Sequence, residues 1–197
     1  MSTKKDKFST KDTKYMNLAL NLARARHGLT GTNPSVGCVI VKNDEIISIG
    51  QTSYNGRPHA EYNAIKDSND ALKGSTMYVT LEPCNHYGKT PPCTKKIIKN
   101  KISKVVYSVD DVDKKVQGKS FKVLELKNIT VKKGLLYEKI NNFYKPYFFN
   151  RKNKIPYVTG KIAVSKNNLI YSKGTKRISN IHSDKLTHFL RYKNDSL

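Results

Sequence analysis

Apolar runs of strand length alternate with helix-spaced segments over roughly the first 150 residues of this 197-residue chain, and that alternation restricts the fold more than any other feature. "SVGCVIV" (35–41) is a continuous apolar run suited to a buried strand, and Asn43-Asp44 turns it into "EIISIG" (45–50), a hairpin partner. "STMYVTL" (75–81), "SKVVYSV" (103–109) and "NITVKKG" (128–134) read as further strands. Between them lie segments of helical character. Tyr15, Leu18, Ala19, Leu22 and Ala23 share a face over 15–27, and Gly28 is a natural stop. Helices are also expected over 61–66, 94–100 and 121–126, and after 134, where Leu136, Ile140, Phe143, Tyr144 and Tyr147 recur. Such an order predicts a three-layer α/β domain over 13–150.

The flanks differ in texture. Residues 1–12 read as a disordered basic arm. Beyond Arg151, "IPYVTGKIAVS" (155–165) is strand-like and one more helical segment falls around 184–192, but the rest is polar. Those residues cannot form a core of their own and must pack on the first domain, on another subunit, or remain loose. No run of about 18 apolar residues is present, so no membrane span is expected. The start lacks the apolar core of a signal peptide, and three cysteines do not make a disulfide framework, so a cytoplasmic setting is expected, with the thiols serving metal binding or core packing. The net charge of +22 comes mostly from lysines scattered from end to end. It is read as a solvated surface, and no nucleic-acid partner is expected.

Two of the cysteines stand in "TLEPCNHYGKTPPC" (80–93), directly after a predicted strand. Cys84 and Cys93 are suited to holding zinc, with the second thiolate favoured by the positive N-terminus of the following helix. A third ligand should come from "PHAE" (58–61), where His59 begins a helix. Glu61 lies two residues on, off the face of His59, and so is a poor ligand but is placed to reach the open fourth position of the metal. Three protein ligands plus water form the catalytic arrangement rather than the structural one. Zinc lowers the pKa of bound water from about 16 toward about 7, and a neighbouring carboxylate can shuttle the proton. Hydrolysis at an sp² carbon follows. Cys38, inside "VGCVIV", has no such context and is read as a small core residue, and His27 as a helix C-terminal residue.

H-x-E followed by P-C and a second cysteine resembles the signature of the zinc nucleobase deaminases. With "TNPSVGCVIVKND", "GRPHAEYNAI" and the eight-residue insert "NHYGKTPP", the chain from about Tyr15 to Asn150 looks like the deaminase domain of the bifunctional riboflavin-biosynthesis deaminase/reductases. The resemblance implies a three-layer α/β/α cytidine-deaminase-like fold with a mixed central sheet. It implies one Zn²⁺ per chain and deamination of 2,5-diamino-6-ribosylamino-4(3H)-pyrimidinone 5′-phosphate. By position, His59, Cys84 and Cys93 would hold the metal and Glu61 would move the proton. Asn33 would meet the ribose or base edge, and His86 and Lys89 would lie over the pocket mouth, Lys89 facing the substrate phosphate.

Three departures from the family pattern stand out. Thr52 occupies the place of a usual histidine, and "DVDK" (111–114) that of an Asp-Pro-Asn-Pro stretch. Both regions face the substrate in the family, so affinity or substrate choice is expected to differ. "IPYVTGKIAVSKNNLIY" resembles the opening of the reductase domain but departs from its usual "SLDGKIA", and 151–197 is read as a truncated start of that domain. No reductase step and no NADPH are therefore expected. A homo-oligomer or a separate reductase chain remain open as partners. The competing readings are an RNA or nucleoside deaminase using the basic surface, and a degenerate zinc module that only binds partners.

Overall fold

The computed structural model describes residues 8–68, 72–88, 90–113, 116–170 and 178–194. Helix α1 (Thr10–Arg26) precedes a hairpin of β1 (Gly37–Lys42) and β2 (Glu45–Gln51), whose two-residue turn places both Asn43 and Asp44 at positive φ. Then follow α2 (Ala60–Lys66), β3 (Thr76–Leu81), α3 (Cys93–Lys99), β4 (Lys104–Val109), α4 (Lys119–Glu125), β5 (Thr130–Lys133) and α5 (Tyr137–Asn153). The strands form one sheet in the order β2-β1-β3-β4-β5. β1 pairs antiparallel with β2 and β3, while β3, β4 and β5 run parallel, so the sheet is mixed. β3 and β4 are buried along almost their whole length, which is why their sequences are continuous apolar runs without alternation.

Glycine positions two of the covering helices. A Cβ on Gly37 would lie 1.9 Å from the Ala19 carbonyl oxygen of α1, and one on Gly50 would lie 2.2 Å from the Ala60 carbonyl oxygen of α2. Gly50 is the cross-strand partner of Cys38, so it shares a face with Cys38 and not with the adjoining Gly37. α1 and α2 therefore cover opposite faces. α5 joins α1, since Phe143 stacks on His27 at 5.2 Å and Lys139 donates to Asn17. α3 and α4 follow α2 on the other side. Tyr144 ties α5 to the sheet, with its hydroxyl 2.7 Å from Thr80 Oγ1 and donating to the Ser35 carbonyl at 2.9 Å. Cys38 is fully buried in the core between the layers.

Some elements differ from the sequence expectation. α1 begins at Thr10, five residues before the apolar pattern starts, because Ser9 and Asp12 form a reciprocal capping box. Residues 10–12 thus belong to the helix and not to an arm; residues 1–7 lie outside the described residues. α5 runs through Asn150 to Asn153. The strand-like stretch 155–165 forms no strand, having no neighbouring strand to pair with among the described residues. The segment around 184–192 is helical, as α6 (Ile181–Tyr192), with no buried residue.

Candidate active site

Three element ends bring the sulfur and imidazole groups together. His59 is the N-cap of α2, Cys84 follows β3, and Cys93 is the first residue of α3. His59 Nδ1 lies 3.6 Å from Cys84 Sγ and 3.5 Å from Cys93 Sγ, and the ligand atoms all fall within 4.8 Å of one another. Zinc–sulfur and zinc–nitrogen bonds of about 2.3 and 2.05 Å at a tetrahedral angle put S and N roughly 3.6 Å apart, so the donor set fits zinc. The Cys93 amide donates to Cys84 Sγ at 3.3 Å, and the Thr94 amide to the Cys84 carbonyl at 3.2 Å. Hydrogen bonding from the Cys93 thiol, with help from His59 and the Cys93 amide, outweighs burial and draws Cys84 down to about 4. That same pairing, together with burial, pushes Cys93 up. The bond to Cys84 raises His59 against its burial.

Glu61 sits in the first turn of α2, only 4% exposed, and burial pushes its carboxyl above the ordinary range against the pull of His59. Its side chain lines the same cavity as His59 and Cys84, together with Asn33 and His86. The Asn33 amide donates to the Gly56 carbonyl at 3.4 Å, and a Cβ on Gly56, which has φ +85°, would lie 2.2 Å from that amide nitrogen. Only glycine leaves room there for the Asn33 side chain. Lys89 lies outside the described residues, as does Lys114 of the "DVDK" stretch. Thr52 also lines the cavity, but its hydroxyl is taken up by the backbone: it accepts from the Val36 amide at 2.9 Å and donates to the Pro34 carbonyl at 3.2 Å. It braces the segment that carries Asn33.

The cavity wall also carries polar side chains that the sequence reading does not single out as site residues, among them Arg57, Glu82, Tyr147 and Arg151. Glu82 accepts from the amides of Asp111 (3.3 Å), Gly118 (3.0 Å) and Ser120 (3.2 Å), so it staples the loop bearing Asp111 and Asp113 to the end of β3. Ser120 Oγ donates to the Pro83 carbonyl and closes the same seam. Burial nevertheless raises Glu82, and burial raises Asp111 likewise. Tyr147 and Arg151 are one helical turn apart on α5, with the guanidinium 5.4 Å from the ring. That spacing is the available signal, although in the sequence Tyr147 only recurs with Ile140, Phe143 and Tyr144 along a predicted helix. Arg151 stands one residue past the expected domain boundary, and its Nη2 donates to the Thr32 carbonyl at 3.3 Å.

Residues 9–109 match the cytidine and deoxycytidylate deaminase zinc-binding region. The chain is 42% identical over 146 residues to the diaminohydroxyphosphoribosylamino-pyrimidine deaminase of Buchnera aphidicola subsp. Schizaphis graminum, covering 74% of this chain and 99% of that one. The chain belongs to the riboflavin-biosynthesis pyrimidine deaminase family. Its zinc-binding region carries the His59, Cys84 and Cys93 cluster. Longer relatives also match: the riboflavin biosynthesis protein RibD of Bacillus amyloliquefaciens is 44% identical over 151 residues, 77% of this chain and 41% of that one. The crystal structure of the Thermotoga maritima deaminase/reductase superposes with a TM-score of 0.82 at 34% identity, covering 91% of this chain and 52% of that one. The chain thus spans about half the length of these longer relatives. No helix among the described residues is long and apolar enough to cross a membrane.

Proposed function

We propose that this chain hydrolyses the 2-amino group from 2,5-diamino-6-ribosylamino-4(3H)-pyrimidinone 5′-phosphate, giving the pyrimidinedione and ammonia. The observation that carries the reading is Glu61: a buried carboxyl opening into the cavity that His59 and Cys84 line, two residues from a zinc-fitting imidazole. A purely structural zinc site has no use for such a group. His59, Cys84 and Cys93 would hold zinc, which when bound would make a water in the cavity easier to deprotonate. A Glu61 carboxylate oxygen takes that proton and returns it to the departing amine, so one water is consumed and one ammonia released. Burial favours the protonated form of Glu61, which suits the second half of that transfer.

Asn33, held by Gly56, presents its amide to the base or ribose edge, and His86 and Lys89 face the phosphate end. The unit proposed to carry this chemistry is the domain over 13–150 together with the rest of α5, which brings Arg151 to the cavity. Residues after Asn153 are assigned to the opening of the reductase half of the bifunctional relatives, and the proposal concerns the deaminase step alone. Three free cysteines suit a reducing, cytoplasmic setting. Zinc-loaded protein should release ammonia from the phosphorylated diaminopyrimidinone. Glu61→Gln should lower that rate by about 10²–10⁴-fold or more while zinc content stays stoichiometric. Turnover of cytidine or an RNA hairpin in place of the pyrimidinone would overturn the substrate assignment.

A further inference from the structure

Ser35 lies just before β1 and Gly37 begins it, and the two are joined by a chain of hydroxyls that passes through β3 and α5. The Gly37 amide donates to Thr80 Oγ1 at 3.2 Å, Thr80 Oγ1 lies 2.7 Å from the Tyr144 hydroxyl, and that hydroxyl donates to the Ser35 carbonyl at 2.9 Å. Each hydroxyl has a single proton to give. A carbonyl can only accept, so the Tyr144 proton is committed to Ser35, and Thr80 must donate its own proton to the Tyr144 oxygen. The direction of the whole chain is thereby fixed, from Gly37 to Ser35. Thr80, Tyr144 and Ser35 are all buried. Burial, reinforced by the Glu61 carboxylate, pushes the Tyr144 phenol up against the effect of the Thr80 bond, so the proton stays on the hydroxyl.

The chain ends on the segment that carries Asn33 to the cavity. On the N-terminal side of that segment, Thr30 Oγ1 donates to the Asn33 carbonyl at 2.8 Å. On the C-terminal side, Thr52 donates to the Pro34 carbonyl and Tyr144 to the Ser35 carbonyl. Thr80 stands four residues before Cys84, on the strand that delivers this thiol. One hydroxyl of α5 therefore spans from the zinc-ligand strand to the Asn33 segment. We propose that the Tyr144 hydroxyl is a positioning group for the deamination: it sets where Asn33 sits relative to the metal ligands, and so how the base or ribose edge is held. The inference rests on the reaction and the Asn33 role proposed above. Tyr144 and Thr80 stand behind the residues that line the cavity, so the hydroxyl acts through Asn33 and not by touching substrate. Its loss would leave the buried Ser35 carbonyl without this donor, and the segment would shift to recover one.

The test uses the zinc-loaded full chain and Tyr144→Phe, which keeps the ring and removes the hydroxyl, alone and combined with Asn33→Ala. Tyr78→Phe is the matched control: two residues before Thr80 on the same strand, its hydroxyl bonds Asp12 away from the cavity. With the phosphorylated diaminopyrimidinone, Tyr144→Phe should raise KM about tenfold while kcat stays within about twofold and zinc stays stoichiometric. In the Asn33→Ala background the same change should move KM by less than about twofold, because the group it positions is gone. Thr80→Val should repeat the KM rise, which keeps the test open if Tyr144→Phe folds poorly, and Thr80→Ser and Tyr78→Phe should leave KM near the native value. An unchanged KM, a full KM rise that persists without Asn33, or a loss confined to kcat or to zinc content would overturn the proposal. If the native chain releases no ammonia, the reaction itself is wrong, and exchange of the Asn33 side-chain amide protons, followed by NMR, then decides the positioning role. Exchange about tenfold faster in Tyr144→Phe than in Tyr78→Phe supports it, and equal exchange in the two overturns it.

Discussion

Cys84 and Cys93 reach the same imidazole yet differ in environment: Cys84 accepts hydrogen bonds, while Cys93 is 4% exposed at a helix start and donates its amide to the other sulfur. Both are needed for a three-ligand set, so Cys84→Ser or Cys93→Ser should leave the purified protein well below one zinc per chain, as read by elemental analysis. A different carboxylate carries an acid dependence. Asp12 would be raised by its burial, but bonds from the Tyr78 hydroxyl at 2.5 Å and from Ser9 outweigh this and hold it below the ordinary value of 3.8. A depressed carboxylate binds its proton more weakly in the folded chain than in the unfolded one. Its stabilisation is therefore complete above the unfolded value and fades as pH falls through the folded one. Urea denaturation should find Asp12→Asn less stable than the native chain at neutral pH, with the gap closing as pH drops below 3.8. At this scale the metal ligands were legible because zinc demands particular atoms at particular spacings. Arg57 and Glu82 were not, because arginine and glutamate occur on any surface and only their placement on the cavity wall or against the 111–120 loop sets them apart.

Among the elements, α2 carries the largest share of the chemistry, since His59 caps it and Glu61 fills its first turn. Its distance from the sheet is set by Gly50, against which Ala60 and Ala64 rest. Gly50→Ala should push α2 outward, costing about 1–3 kcal/mol of stability and lowering zinc occupancy together. Gly160→Ala, whose added carbon meets nothing within 4 Å, is the matched control and should change neither. The course of each strand over 37–133 was readable from apolar runs, since both faces of β3 and β4 are covered. The start of α1 was missed because its cap, Ser9 with Asp12, lies outside the apolar pattern. The stretch 155–165 failed for the opposite reason: it has a strand's composition, but a strand needs a partner.

Across the whole molecule, the ligand-bearing ends rest on a continuous core that runs from Met16 in α1 to Tyr144 in α5. Zinc removal should therefore abolish ammonia release and lower Tm while leaving most far-UV circular dichroism intact, unlike small modules that unfold without metal. Readdition of zinc should restore turnover. None of the described residues from 154 onward is buried, although the Lys193 backbone closes against Gly28 at the end of α1. A chain ending at Asn153 should accordingly fold, hold zinc and keep its Tm within a few degrees, whereas one ending at Tyr147 should lose Arg151 from the cavity wall.

Sequence alone determined the order of strands and helices, the identity of the zinc ligands and the class of chemistry, because each depends on local periodicity or on the few side chains a metal accepts. Tertiary structure alone decided which helix lies on which face, that Thr52 spends its hydroxyl on the backbone, and that Tyr144 joins Thr80 to Ser35. Those outcomes come from packing between segments far apart in the chain, where the absence of a side chain matters as much as the presence of one.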